Sequence, residues 1–86
     1  MHSLDSKIRL FCSFFHDRLA RDLLNDINHY INNNERGLAF ETLCDHICEY
    51  DVHITQGEYD CAVGLCHDLK IDVNDTSIVH FKIQNT

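Results

Sequence analysis

The sequence predicts an all-α fold, a compact bundle of four to five short helices forming one domain over residues 1–86. Three observations carry that prediction. Apolar residues recur at helical spacing in four separate stretches, Asn and Thr punctuate the joins between them, and only the tail alternates with a period of two. Because a chain this short buries only about 60% of its unfolded surface, every long apolar stripe is needed for the core. Little volume is left for a deep catalytic cavity.

Ser3 is the expected N-cap of the first helix, in which Leu4, Ile8, Phe11, Cys12 and Phe15 form one stripe, widened by Leu10 and Phe14. The next stripe is Leu19, Leu23, Leu24, Ile27, Tyr30 and Ile31. One unbroken helix through both would put them out of phase by more than about 90°, so a break is expected at residues 16–18 with Asp17 as the second N-cap. Asn32-Asn33-Asn34 ends that helix, since Asn is a poor helix former and favours turns.

Residues 35–51 are the helix around which the rest is organised. Ala39, Phe40, Leu43, Cys44, Ile47, Cys48 and Tyr50 gather on one arc, while Glu41, Asp45 and Glu49 stack at i, i+4 and i+8 opposite it, with Gly37 just inside the start. The chain leaves through residues 50–54 and restarts at a capping box. Thr55 is placed to accept from the Glu58 N–H, and the Glu58 carboxylate to accept from the Thr55 N–H. In the fourth helix Tyr59, Ala62, Val63, Leu65, Cys66 and Leu69 face inward, with Asp60, His67 and Asp68 outward. Gly64 costs about 1 kcal/mol relative to Ala, which suggests a close helix approach there. In the tail, Val79, Phe81 and Ile83 alternate with His80 and Lys82, but nothing else in the chain offers a partner strand. A short helix capped near Asn74 or Asp75 is expected, the alternative being a lone strand open to edge pairing with another protein.

The chain carries a net charge of −7 and a pI near 5.3, unevenly distributed. Residues 1–34 hold four acids against four bases, whereas residues 35–75 hold ten acids against Arg36 and Lys70, a local charge of −8. Direct nucleic-acid binding requires a basic patch and is not expected; a basic protein is the natural partner. Within the organising helix, none of Glu41, Asp45 and Glu49 has a Lys or Arg four residues away, and like charges at that spacing cost an isolated helix roughly 0.2 to 0.5 kcal/mol per pair. On its own such a stripe is first read as a solvated surface face, where most charged stripes belong; a spacing that opposes helix stability raises recognition as the alternative.

Five cysteines, no apolar leader pattern at the amino end and no apolar run of membrane-spanning length lead to the expectation of a cytoplasmic protein with reduced thiols. Cys44 and Cys48 lie at i and i+4 and could share a metal with Cys61, Cys66 or His67, but they fall on the apolar arc and no CxxC pair occurs. Small buried hydrophobes are expected, with no metal and no cofactor. Asp45-His46 and His67-Asp68 are sequence neighbours that point about 100° apart on a helix, and cannot form a catalytic relay by themselves. Without a glycine-rich phosphate loop or metalloprotease motif, no enzymatic activity is expected.

The run from Glu35 to Asp45, followed by Glu49-Tyr50-Asp51-Val52 and by Ile54-Thr55 with Glu58, resembles the MafI-type immunity proteins of polymorphic and contact-dependent growth-inhibition (CDI) toxin systems. The likeness spans residues 18–72; Asn34 stands where a turn glycine or histidine is expected, and the tail lies outside it. The resemblance implies an inhibitor that binds and neutralises the C-terminal domain of a cognate toxin, often a nuclease acting on RNA or tRNA. Charge agrees with that role, because nuclease clefts that hold phosphates are basic. Carboxylates four apart rise about 6 Å per step, near the spacing of successive phosphates on an extended strand. On this reading Glu41, Asp45 and Glu49 are the expected contacts, followed by Asp51, Glu58 and Asp60. The alternative is an acidic helical adaptor or regulator docking on some other basic protein.

Overall fold

A computed structural model describes residues 3–84 and contains four α-helices: α1 (Leu4–Ser13), α2 (Arg21–Asn32), α3 (Arg36–Glu49) and α4 (Gln56–Leu69). Ser3 caps α1 as expected, its hydroxyl accepting from the Ser6 N–H at 3.1 Å. Ile8, Phe11, Cys12 and Phe15 are buried, and the Phe11 ring lies 5.2 Å from that of Phe15 and 6.0 Å from that of Phe40. The stripe is narrower than its spacing suggests: Leu10 is 59% and Phe14 38% exposed.

The break between α1 and α2 falls where the phase shift requires, but Asp17 does not cap α2. The end of α1 runs on through turns in which the Arg18 and Leu19 N–H groups both donate to the Phe15 carbonyl, and α2 starts from an extended Ala20 without a side-chain cap. Asp17 therefore sits in the turn, fully three residues too early, beside His16.

Three helix ends are built alike. Asn34 after α2, Asp51 after α3 and Lys70 after α4 all adopt left-handed backbone, with φ of 62°, 57° and 60°. The next residue then reaches back five positions to a carbonyl of the last helical turn: Glu35 to Tyr30, Val52 to Ile47 and Ile71 to Cys66, each at 2.9 Å. Asn34 thus does what a turn glycine would do. In the second and third cases the two residues so linked are both apolar, the usual companion of this motif.

Along α3, Ala39, Phe40, Leu43, Cys44 and Ile47 are buried and Cys48 is half-buried. Tyr50, expected on the core arc, is instead 54% exposed: α3 ends at Glu49, and Tyr50 stands at its C-cap, past the last buried turn. The capping box of α4 is present in both directions, Glu58 N–H to Thr55 Oγ1 at 3.1 Å and Thr55 N–H to Glu58 Oε1 at 2.8 Å. Ala62, Leu65 and Cys66 are buried, with Tyr59, Val63 and Leu69 partly so. Gly64 permits no close approach: it is exposed, and a Cβ built there meets nothing within 4 Å.

The tail departs most from expectation. It forms two 3-10 turns, Val73–Asp75 and Ser77–His80, capped by Asp72 and Thr76 rather than by Asn74 or Asp75. Ile78, at 1% exposure, plugs the core from this side. The chain then becomes a strand, and it has a partner. β1 (His53–Ile54) pairs in parallel with β2 (Lys82–Ile83), His53 opposite Lys82 and Ile54 opposite Ile83, and the Gln84 N–H donates to the Ile54 carbonyl at 2.7 Å. A two-residue strand is too short to leave an alternating pattern, which is why residues 53–54 read as a connector.

Candidate acidic docking face

The organising helix packs on α2, α1 and the second 3-10 turn of the tail, and its Glu41 and Asp45 lie beside that tail. Glu41 is half-buried, whereas Asp45 is exposed and the Glu49 side chain is 67% exposed. Among the described residues none of the three lies within 4.0 Å of a lysine or arginine. Asp45 accepts a short hydrogen bond from the Ser77 hydroxyl, and Glu49 stands 3.9 Å from Nδ1 of His46.

Most basic side chains in the described chain are occupied elsewhere. Lys7 pairs with Asp68, Arg36 with Asp5 at 2.9 Å, and Arg9 donates to Asn28 and Asn32. Two of the six expected contact residues draw on the remainder. Lys82 bonds Asp51 and holds its carboxyl below the usual carboxylate range. Arg18 bonds Glu58 through both terminal nitrogens, at 2.9 and 2.5 Å, and that bond, aided by the Thr55 amide, lowers the Glu58 carboxyl in the same direction. Asp60 accepts from Gln56 at 2.9 Å and remains exposed.

Glu58 therefore belongs to the scaffold. The same Arg18 donates to the carbonyls of Phe14 and His53 and lies 4.5 Å over the Phe15 ring, so one side chain ties the α1–α2 turn to β1 and to the start of α4. Asp51 is likewise an anchor for the tail. The six nominated carboxylates separate into three on α3 with no lysine or arginine beside them, two paired with Arg18 or Lys82, and one exposed on α4.

Sequence reasoning missed the other half of the face. The tail folds back beside α3, fixed by the Asp45–Ser77 bond, by the Cys48 thiol donating to the Ser77 carbonyl at 3.1 Å, and by the Lys82–Asp51 pair. Asn74, Asp75, Thr76, Val79 and His80 of the tail then face Leu38, Glu41, Thr42 and Asp45 across an open groove of about 470 Å³. Residues more than thirty positions apart in sequence meet here, and no local periodicity signals that meeting. The cluster of turn formers from Asp72 to Ser77 is the one visible hint.

The cysteines offer little chemistry. Cys44 and Cys66 are buried and desolvation raises both thiols, while burial and nearby Glu58 raise that of Cys61. Raised thiols are poor nucleophiles at neutral pH. Among the described residues no group of three or more His, Cys, Asp or Glu side chains is placed to hold a metal ion, and no helix is long and apolar enough to cross a membrane. Comparison of the chain with protein-family models, with curated proteins and with solved structures finds no match.

Proposed function

We propose that this chain is an immunity protein, binding and neutralising the nuclease domain of a cognate bacterial toxin in the cytoplasm by occupying its basic surface. The reading is supported above all by one observation: Glu41, Asp45 and Glu49 are held along a single rigid helix with no lysine or arginine beside them, although the fold pairs other acids with available bases. A basic partner would supply the missing counter-charge and gain from long-range steering, with association rates up to roughly 10⁸ to 10⁹ per molar per second at low salt.

The test is co-expression with the product of the adjacent gene, followed by co-purification and a nuclease assay with and without the chain. Neutralisation supports the proposal, and it should be lost when Glu41→Lys and Asp45→Lys are combined. A chain that folds, binds some other basic protein and leaves the toxin active would identify an acidic adaptor instead.

A further inference from the structure

The acidic side of α3 is no free-standing ridge, because the tail raises a second wall beside Glu41 and Asp45. That wall adds a third carboxylate, Asp75, across the groove. It also sets two large apolar side chains in solvent, one on each side: Leu38 on α3, 45% exposed, and Val79 on the tail, 47% exposed. Exposed apolar side chains on both walls of a groove lined by carboxylates match a ligand that is itself amphipathic, an apolar stem with a cationic head. At about 470 Å³ the groove has the volume of a side-chain or small-molecule site, and too little for a folded element.

We infer that this groove seats an arginine side chain of the basic partner, its aliphatic stem lying between Leu38 and Val79 and its guanidinium meeting Glu41, Asp45 and Asp75. Arginine fits better than lysine on three counts: its planar fork of five donors serves carboxylates on two walls at once, its head is weakly hydrated, and its stem packs on apolar surface. Ser77 takes one oxygen of Asp45 and so leaves the other for the ligand. Charge complementarity selects the occupant, since the groove presents three carboxylates and no lysine or arginine. The inference deepens the immunity reading by naming the chemistry through which the partner is held.

The probe is the capped tripeptide Ac-Leu-Arg-Leu-NH₂, titrated into the intact chain and followed by amide chemical shifts. Its counterpart carries citrulline, which has the same shape without the charge. Saturable shifts confined to residues 38–45 and 74–80, with at least tenfold weaker binding of the citrulline peptide, are expected at millimolar affinity, on the order of 1 mM. Shifts centred elsewhere, equal binding of the two peptides, or no saturation by about 20 mM overturn the inference. Asp75→Asn with Val79→Ser, both at exposed positions, separates this inference from the reading beneath it. If that variant neutralises the toxin as well as the parent chain, the groove is excluded as the contact while immunity stands; if the peptide seats in the groove but no toxin is bound, immunity fails and the groove remains an arginine-docking site.

Discussion

Removing the charge of Glu58 should loosen three parts of the fold at once. The carboxylate accepts from the Thr55 amide and from both terminal nitrogens of Arg18, and the guanidinium extends the link to the Phe14 and His53 carbonyls. The Glu58 side chain is 13% and Arg18 33% exposed, which places the pair between a screened surface bridge worth under about 1 kcal/mol and a desolvated charged bond worth up to about 3. Glu58→Gln keeps an oxygen for the Thr55 amide and should cost about 1.5 kcal/mol, lowering Tm by roughly 6 to 12 °C in a domain of this size. Glu58→Ala removes the cap as well and should cost about 1 kcal/mol more. The assay is a double-mutant cycle with Arg18→Met, read by urea unfolding. A coupling energy near 1 kcal/mol or above is expected, and one below about 0.3 would refute the assignment of Glu58 to the scaffold.

Further outcomes follow from the same geometry. Because the native Glu58 carboxyl lies below its ordinary value, its contribution is complete above the ordinary carboxylate range and is lost as pH falls through the depressed native value, so parent and Glu58→Gln melting temperatures should converge in acid. Gly64→Ala should raise stability by up to about 1 kcal/mol in thermal unfolding, since the new methyl meets nothing within 4 Å; a loss would reveal a contact at that face. Lys70→Gly should stabilise by about 0.5 to 1 kcal/mol by relieving the left-handed backbone at φ 60°, whereas Asn34→Val should destabilise by at least about 1 kcal/mol for the opposite reason. In thiol labelling of the native protein Cys44 should react only as fast as the chain unfolds, with Cys48 and Cys61 modified first.

What was legible in the sequence was what local chemistry dictates. The Thr55–Glu58 capping box, the Ser3 cap, the triple-asparagine stop and the buried arc from Ala39 to Ile47 are each decided within a few residues, and all are present. Periodicity assigned Tyr50, Leu10 and Phe14 to the core too readily, since it counts apolar residues without knowing where a helix stops or what faces it. Gly64 in mid-helix suggests a packing device, yet it is an exposed position with room to spare. The tail failed for a different reason: β2 exists only because residues 53–54 offer it hydrogen bonds from thirty positions upstream. The same non-local return hid the second wall of the groove and gave Asp51 its partner, so the acidic stripe could be read from spacing but the groove beside it could not.

The central claim concerns the charge that α3 leaves unpaired. Its most direct test is the association rate of this chain with the nuclease domain proposed as its partner across salt concentrations, for the parent chain and for Glu41→Lys with Asp45→Lys. The account predicts an association rate for the parent that falls steeply as salt rises, and for the folded variant a rate that is slower by at least about tenfold at low salt, with a flattened salt dependence. A variant that folds and associates with the same rate and the same salt dependence as the parent would contradict it.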